Sequence, residues 1–558
     1  MLYNRVGRVL PPFDSASAEL FRQRNSAPSP VLDMIKTGKV SFDYVVIGAG
    51  AAGCALVNRL LSSNINNTIL LIEAGGSNNV PEIQDFTRAM SLRGTVYDWN
   101  DKSEPQGCMD GQPMDYDAGC VNGGGSSING MVWVRGNPLD YDGWAANGCV
   151  GWDYNSLLPV FTRTENYAGG GPNRGTTGPI NITNALSQNP VSNAFMTAMA
   201  NMGFATNADY NSGVQNGVFY TQLNVLQTDP PIFGFRQDAF STMIQPGIND
   251  PRLVIANGAI ATKLQLDGNN NVVGVQLFIV DAFFDVGVNV EAILCAGTIR
   301  SPQLLMLSGI GDPQQLANFG INCLVPLSGV GQNLQDQLVV FVVRALQTID
   351  PNHFSVMDNG VFAGNANAPP DYQTQTFYMA ANPGFPPNSF AIGNIVLHPA
   401  SRGTLSLASS DPLARPLIQP MLLCNPSDVN LSLQGLKLAR QMANEFAASS
   451  SWLGAELSPG PNVVTDAQLI DYMNQSSVPD FHFVGTCKMG PQSDPGAVVN
   501  PRLQVYGVGA LRVADASIMP TVTSGNTNCP AITIGGRCGD FIVGAGQLTT
   551  AACATVAP

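Results

Sequence analysis

The sequence contains few basic residues, very little histidine and no long apolar run. Only 3 histidines occur in 558 residues, and charged residues make up 12% of the chain. The net charge of −14 argues against a nucleic-acid or anionic-membrane partner, because both attract basic proteins. No stretch reaches the apolar length of a transmembrane helix, so we expect no membrane insertion.

The N-terminal residues lack the continuous apolar segment of a secretory signal, which favours a cytoplasmic location unless the given sequence begins after processing. The 11 cysteines form no CxxC pair and have no metal-ligand spacing, so we expect no metal site. Cys108 and Cys120 flank a polar loop and could pair in an oxidising compartment, although free thiols are the favoured alternative. Five other cysteines lie in apolar or glycine-rich runs and are expected to be buried: Cys54, Cys295, Cys487, Cys529 and Cys538.

The clearest pattern in the chain is a strand, a glycine turn, a helix, a second strand and an acid between residues 42 and 73. Gly48 permits the turn, Gly50 lets a pyrophosphate approach the backbone, and Gly53 lets the helix pack on the strand. Glu73 can accept hydrogen bonds from an adenosine ribose. The pattern predicts a dinucleotide site without distinguishing NAD from FAD; the alternative is a glycine turn without a ligand.

Further patterns predict the rest of the fold. A glycine-rich loop at Gly119–Gly130 could lie against a ligand, and the apolar residues that follow favour an ordered loop over a flexible one. Alternating segments at 253–266, 272–280 and 288–295 predict a β-meander within the α/β domain. Helices are expected at Ser301–Leu307, with Pro302 in the first turn, and at Val429–Ala447. Strand patterns at 338–346, 389–397 and 403–407 predict a second sheet, a candidate substrate domain.

Four stretches together resemble the glucose–methanol–choline (GMC) family of FAD oxidoreductases, in order and over almost the whole chain. They are residues 42–73, residues 123–136, residues 297–311 (GTIRSPQLLMLSGIG), and the group 482–490 (HFVGTCKMG), 511–517 (LRVADAS) and 525–530 (GNTNCP).

The resemblance implies an α/β fold in two parts. A discontinuous Rossmann-like FAD-binding domain would be joined to a substrate domain with a mainly antiparallel sheet backed by helices. The expected boundaries are an N-terminal arm at 1–40, an FAD-binding domain at 41–155, 236–335 and 476–545, a substrate-binding domain at 156–235 and 336–475, and a C-terminal tail at 546–558.

The resemblance also implies which residues contact the FAD. These are Gly48, Gly50, Ala51, Ala52, Gly53, Glu73, Ala74, Gly123, Gly124, Ser126, Asn129, Gly130, Met131, Val132, Ala261, Ala296, Asp515, Ala516, Asn526 and Thr527. Some members of the family attach FAD through a histidine of the glycine loop, but Ile128 and Asn129 occupy that place here, so we expect noncovalent FAD.

Three departures limit what the resemblance implies. Cys120 and Asn122 replace a basic and a large aliphatic residue of the family, and the residues around Cys120 resemble cellobiose dehydrogenases. Residues 127–142 resemble bacterial choline and alcohol dehydrogenases instead, so the substrate stays open. Gln337 stands where relatives commonly have histidine, and we assign it no catalytic role.

Alcohol oxidation needs a base that is neutral near pH 7, which suits histidine. His482 matches the family's base; its alternative role is that of a core histidine bonded to a carbonyl. Asn526 matches the partner beside the base and can bind the substrate oxygen. His353 is expected to be solvated and His398 structural.

We therefore expect an FAD-dependent alcohol oxidase or dehydrogenase that acts on a small-molecule alcohol. The electron acceptor, oxygen or another molecule, and the oligomeric state stay open. Two alternatives are a hydroxynitrile-lyase-like flavoprotein without net redox chemistry and a non-catalytic flavoprotein.

Overall fold

The computed structural model describes residue 34 and residues 40–184, 189–228, 234–350, 357–365, 367–379 and 386–544. Almost all of the predicted N-terminal arm, His353 and the predicted C-terminal tail lie outside the described residues. Two seven-stranded sheets form the framework. In chain order their strands are β1 (Ser41–Ile47), β2 (Ile69–Glu73), β3 (Gly217–Tyr220), β4 (Leu253–Asn257), β5 (Ile260–Leu266), β6 (Val272–Ile279), β7 (Ala282–Leu294), β8 (Leu338–Leu346), β9 (Asn359–Ala363), β10 (Tyr372–Met379), β11 (Ser389–Val396), β12 (Leu453–Ser458), β13 (Val478–Pro479) and β14 (Leu511–Val513).

The helices surround these sheets. They are α1 (Ala51–Leu61), α2 (Pro81–Gln84), α3 (Pro138–Ala146), α4 (Tyr154–Thr164), α5 (Pro190–Asn201), α6 (Gly297–Leu307), α7 (Pro313–Asn318), α8 (Pro426–Ser449), α9 (Asp466–Ser476) and α10 (Asn528–Val543). Short 3₁₀ segments lie at Phe86–Ser91, Gly107–Met109, Gly124–Ser127, Gln245–Gly247 and Ala516–Ile518, and a π-helical turn at Phe240–Ile244. Small sheets of short strands, each two to five residues long, lie outside the two main sheets. They pair Asp101–Lys102 with Asp115–Tyr116, Val225–Gln227 with Gly234–Arg236, Ile310–Gly311 with Val325–Pro326, Thr404–Ser406 with Leu417–Gln419, and Ile180–Asn184 with both Glu165–Tyr167 and Gln222–Leu223.

The first sheet has the order β4-β2-β1-β7-β6-β5, and β14 pairs with β7. Its central strands are parallel, and β5, β6 and β7 form an antiparallel meander at one side. Ile47 pairs with both Ile72 and Leu294, so the carboxyl ends of three strands meet at one edge of the sheet. The predicted meander is present, but its first stretch divides into parallel β4 and antiparallel β5. Ligands of open α/β sheets bind at such a carboxyl edge.

Two glycines shape the turn between β1 and α1. Gly48 has a φ of +108°, a conformation that side chains other than glycine rarely adopt. A Cβ at Gly53 would lie 2.0 Å from the carbonyl oxygen of Gly48, so only glycine lets α1 approach the turn this closely. The local sequence therefore determines this unit.

Helix α6 begins at Gly297, not at Ser301 as predicted, and Pro302 lies in its interior. The carboxylate of Asp515 accepts the N–H of Gly297 at 2.9 Å and so caps the helix from a distant part of the chain. Because Pro302 has no N–H, the Thr298 carbonyl lacks its helical donor, and the hydroxyl of Thr486 donates to it at 2.6 Å. Both contacts come from residues far away in sequence, so the residues around α6 do not predict them.

The second sheet is antiparallel, with the order β12-β8-β11-β10-β9-β3, and β13 pairs with β8. Helices α5 and α8 back one face, where Phe446 packs 5.7 Å from the ring of Phe195 and 5.3 Å from that of Phe390. This is the antiparallel sheet backed by helices that the resemblance implied. Strand β13 falls at 478–479, beyond the segment predicted for the substrate domain.

The cysteine prediction was wrong for Cys108, which forms a disulfide bond with Cys424, 316 residues away, and not with Cys120. The five cysteines predicted to be buried are buried. Within the described ranges, no helix combines the length and the apolar character that crossing a bilayer requires.

Candidate functional site

A cavity of about 380 Å³, here called the central cavity, lies between the carboxyl edge of the first sheet and the inner face of the second. Of the residues predicted to contact the cofactor, all except Gly53 and Gly123 line it, as does His482. Gly53 instead lets α1 pack closely on the turn. At Gly123, a Cβ would meet the side chains of Ser127 and Asp238, so this residue faces those side chains. The structure thus brings predicted residues from the beginning, middle and end of the chain to one cavity.

The nucleotide end of the central cavity is built from backbone. Helix α1 follows Gly50, which provides no side-chain cap, so its first-turn N–H groups have no capping side chain. A Cβ at Gly124 would lie 2.7 Å from the Cα of Gly50, so two glycine turns face each other closely. Such a groove at a helix N-terminus suits the pyrophosphate of FAD.

Glu73 closes this end of the cavity and is 5% exposed. Its carboxylate accepts the N–H of Ala49 at 3.0 Å and that of Gly75 at 2.8 Å. Burial raises the pKa of Glu73 to about 7, although these two backbone donors oppose the shift. A carboxylate has further acceptor positions beyond these two, so Glu73 can also bind a ribose hydroxyl.

The glycine-rich loop is ordered by a buried arginine that the sequence analysis missed. Arg236 donates to the Asn129 carbonyl at 2.8 Å, to the Asn129 side chain at 3.0 Å and to the Ser126 carbonyl at 3.2 Å. Burial lowers the pKa of Arg236 to about 10. Because Arg236 is 107 residues from Asn129, no local pattern links the two. Met131, at the end of the loop, has a φ of +61°, which indicates local strain next to the cavity.

The carboxylate of Asp515 links the start of helix α6 to the turn that follows strand β14. One carboxylate oxygen accepts the N–H of Gly297 at 2.9 Å and the Ser301 hydroxyl at 2.6 Å, and the other accepts the N–H of Ser517 at 2.8 Å. The carboxylate is thus held by protein donors while lining the cavity beside Ala516. These residues, the glycine groove and Glu73 together fit an FAD.

His482 lies at the other end of the cavity and is 8% exposed. Its Nδ1 is 2.8 Å from Oε1 of Gln337, and its Nε2 is 3.0 Å from Nδ2 of Asn526. Burial, together with the nearby charge of Arg93, lowers the pKa of His482 to about 3. The imidazole is therefore neutral at pH 7, as a general base must be.

The amide of Gln337 fixes one side of this imidazole. Its Nε2 donates to the carbonyl of Leu397 at 2.8 Å and to that of Thr523 at 3.0 Å. Because the nitrogen is held in this way, Oε1 must face His482 and accept a hydrogen bond from its Nδ1–H. Gln337 stands where relatives commonly have histidine, and its contact with the imidazole gives it a role that its place in the sequence did not indicate.

Two further amides fix the opposite side. Gln373 and Gln375 donate to Oδ1 of Asn526 at 3.2 and 3.3 Å. Oδ1 is thus the acceptor end of Asn526, and its Nδ2 donates to Nε2 of His482. The imidazole carries its proton on Nδ1, and the lone pair at its Nε2 accepts the hydrogen bond from Asn526 at the wall of the central cavity.

The wall contributed by the second sheet is mostly apolar. Phe341 of β8 and Phe377 of β10 line the cavity, with ring centroids 5.5 Å apart. Tyr378 and Phe390, two other aromatic residues of this sheet, do not line the cavity. The apolar wall comprises Met131, Val132, Val339, Phe341, Met357, Phe377 and Val478.

The remaining histidine of the described chain has a structural position. Nε2 of His398 lies 2.9 Å from the Ser524 hydroxyl and 3.5 Å from Asp140, and His398 does not line the central cavity. In the ranges that the structure describes, no group of three His, Cys, Asp or Glu side chains is arranged to hold a metal ion.

Comparison with known proteins gives a consistent result. Models of the GMC oxidoreductase N- and C-terminal regions match residues 42–339 and 399–535. The chain is 34% identical over 535 residues to an oxygen-dependent choline dehydrogenase of Brucella suis biovar 1, covering 90% of this chain and 95% of that protein. It is 33% identical over 538 residues to one of Rhizobium rhizogenes, covering 91% and 96%.

Solved structures give the same fold. Pyridoxine 4-oxidase from Mesorbium loti superposes with a TM-score of 0.82 at 29% identity, covering 89% of this chain and 98% of that one. Formate oxidase superposes with a TM-score of 0.82 at 23% identity, covering 91% and 99%, which supports the fold alone.

Proposed function

Because this chain belongs to the GMC oxidoreductase family, we propose that it oxidises an alcohol to a carbonyl compound with His482 as the general base. Enzymes of this family are FAD-dependent oxidoreductases that act on alcohols, and FAD is the cofactor of this one. The observation that carries the proposed role of His482 is the chain of amides that leaves its Nε2 as an acceptor at the cavity.

Bound FAD supplies the acceptor for the hydride that leaves the carbinol carbon. The residues of the chain handle the proton: Nε2 of His482 takes it from the substrate hydroxyl. For this the substrate hydroxyl takes the place of Asn526 as the donor to Nε2, and Nδ2 of Asn526, whose Oδ1 is held by Gln373 and Gln375, then donates to the substrate oxygen and orients it. Gln337 keeps the proton of the free imidazole on Nδ1, so that Nε2 stays available.

We also propose that the FAD is bound without a covalent bond to histidine. His482 is the only histidine in the cavity wall that the structure describes, and it is engaged by Gln337 and Asn526. In the glycine-rich loop, Ile128 and Asn129 stand where some members of the family have the histidine that binds FAD covalently. Denaturation should therefore release all flavin into the supernatant.

The apolar wall supports an uncharged alcohol with an apolar or aromatic substituent as the substrate. Phe341, Met357 and Phe377 offer apolar contact area, and Gln375 among them donates to Asn526. Two carboxyl groups, Asp117 and Asp480, also line the cavity, but burial raises their pKa values to about 8 and about 7, which weakens their attraction for a cation at neutral pH. The choline of the named relatives carries a quaternary ammonium group, whose recognition favours aromatic cages or a carboxylate. Excluding water with apolar side chains favours hydride transfer over side reactions.

An anaerobic absorbance titration tests these proposals. Benzyl-type and aliphatic primary alcohols should bleach the oxidised flavin spectrum at lower concentrations than choline or sugars do. Admitting air then distinguishes an oxidase from a dehydrogenase by the rate of reoxidation. Cleavage of cyanohydrins by a protein that no alcohol bleaches would replace the proposal by the lyase alternative. Bleaching by choline at the lowest concentration would contradict the substrate class alone.

A further inference from the structure

Asp480 lies beside His482 but belongs to no part of the amide chain described above. Its Oδ2 is 3.3 Å from Nδ1 of His482, and its backbone N–H donates to the Gln337 carbonyl at 2.8 Å. Phe481, between the two residues, has a φ of +61°, a conformation that is unusual for a bulky side chain. The local backbone is thus held in a form that places this carboxylate at the Nδ1 edge of the imidazole.

Within the part of the chain that the structure describes, one oxygen of the Asp480 carboxylate lacks a hydrogen-bond donor. Among the described residues, Oδ2 of Asp480 is buried and has no hydrogen-bond partner. Asp480 also lines the central cavity. A buried carboxylate oxygen without a donor is costly, so a native structure that retains one calls for an explanation in terms of function.

The proposed reaction creates the charge that this carboxylate would balance. When Nε2 of His482 accepts the hydroxyl proton, the imidazole becomes a cation in a site where burial opposes any cation. The guanidinium of Arg93, stacked 4.2 Å from the centroid of the Phe481 ring, adds repulsion. An opposite charge within about 4 Å favours the charged form of a titrating group.

Other acidic groups near His482 are less able to serve. Asp336 accepts the backbone N–H of His482 at 2.9 Å, and burial raises the pKa of Asp336 well above its usual range, which disfavours its charged form. Burial and the neighbouring Asp98 raise the pKa of Asp117 to about 8. Burial likewise raises the pKa of the Tyr116 hydroxyl well above its usual value.

We propose that Asp480 is a positioning residue that stabilises the protonated form of His482 during alcohol oxidation, a role that rests on the proposed function. In this step the substrate O–H bond breaks and an N–H bond forms at Nε2. The electron pair of the O–H bond forms the second bond of the carbonyl group as the carbinol C–H bond breaks, and the hydride that leaves with the C–H electron pair would be accepted by bound FAD. Ionised Asp480 keeps its charge during this step and lies on the Nδ1 side of the ring, away from the Nε2 that takes the proton.

This role makes the reaction depend on pH. Burial raises the pKa of Asp480 to about 7, and the charge of Arg93 opposes that shift. Below pH 7, a protonated Asp480 no longer offsets the imidazolium, so oxidation is slow. As the pH rises through about 7, the carboxylate ionises and the rate rises. The apparent pKa of this limb belongs to the Asp480–His482 pair.

The test measures flavin reduction by an alcohol in the holoenzyme, without oxygen, from about pH 5 to pH 9. Asp480→Asn should slow reduction about 10- to 100-fold above pH 7 and abolish the rise near pH 7. Asp480→Glu should keep a rise with pH. Asp471→Asn, which changes an exposed carboxylate on the preceding helix α9, should behave like the wild type.

A second readout does not depend on activity. With only 3 histidines in the chain, ¹⁵N-histidine labelling gives a simple spectrum. The Nδ1 signal of His482 should shift as the pH crosses about 7 in the wild type, and this shift should be absent in Asp480→Asn. The wild-type titration decides the question even if Asp480→Asn does not fold.

The outcomes separate the two proposals. If Asp480→Asn keeps the wild-type rate and pH limb, or if the wild-type Nδ1 signal ignores the titration near pH 7, the role of Asp480 is refuted. If His482→Ala oxidises the alcohol at the wild-type rate, the proposed function itself fails. A slow His482→Ala together with an unchanged Asp480→Asn refutes only the inference about Asp480.

Discussion

Replacement of Gln337 by leucine tests how the active imidazole is held. The side chain is fully buried and makes three hydrogen bonds, two as a donor to carbonyls and one as an acceptor from His482. Leucine has a similar volume but provides none of them. Gln337→Leu should therefore change polar contacts with little change in packing.

The size of the effect follows from these contacts. Each buried polar group left without a partner costs about 1–3 kcal/mol, so three such groups lower the free energy of unfolding by about 3 kcal/mol or more. The lost contact to Nδ1 also removes the preference for the active tautomer. A preference of about 2 kcal/mol corresponds to a loss of about 30-fold in the rate of flavin reduction, since 1.4 kcal/mol is tenfold.

The assay is stopped-flow flavin reduction at saturating alcohol, together with urea unfolding. The control is Asn58→Leu, which loses one hydrogen bond from α1 to the Met243 carbonyl, at 2.9 Å, outside the cavity wall. We expect the control to lose stability but to keep the rate of flavin reduction. A Gln337→Leu enzyme that loses stability and still reduces its flavin at the wild-type rate would refute the tautomer argument.

Three further predictions concern stability and cofactor retention. Replacing both Cys108 and Cys424 by serine should lower the free energy of unfolding by about 2–5 kcal/mol and speed FAD release, followed by flavin fluorescence; unchanged release would show that the bond does not restrain the cavity. In the apoprotein, Glu73 binds a proton more tightly folded than unfolded. This proton contributes about 3 kcal/mol to the free energy of unfolding; the contribution is fully present below about pH 4.5 and is lost as the pH rises through about 7. Glu73→Gln should flatten this part of the curve of unfolding free energy against pH. Glu165→Gln leaves the fully buried Arg135 without its carboxylate and removes one of the two carboxylates that pair with Arg174. It should cost about 3–5 kcal/mol in urea unfolding, whereas a loss below about 1 kcal/mol would contradict a buried ion-pair network.

Local patterns predicted much of the first sheet and of the nucleotide end. The strand, glycine turn, helix and acid at 42–73 are determined by neighbouring residues, so their roles are visible in the chain. Strand β8 falls at the predicted residues 338–346, and helix α8 extends the predicted 429–447 by a few residues at each end. Patterns of this kind depend only on contacts close in sequence.

The features that were not predicted from the sequence depend on contacts between residues far apart in the chain. Gln337 reaches His482 across 145 residues, and an isolated glutamine has no pattern that marks it as a partner of a base. The Cys108–Cys424 bond joins residues 316 apart, and connectivity cannot be deduced from spacing.

The central claim is that His482 removes the hydroxyl proton while the substrate gives up its hydride. The most direct measurement is a single anaerobic turnover of flavin with the best alcohol of the panel, comparing wild type, His482→Ala and the control His398→Ala. We predict that His482→Ala binds FAD normally and reduces it about 10²- to 10⁴-fold more slowly, while His398→Ala keeps a rate near that of the wild type. Reduction by His482→Ala at the wild-type rate would contradict the account.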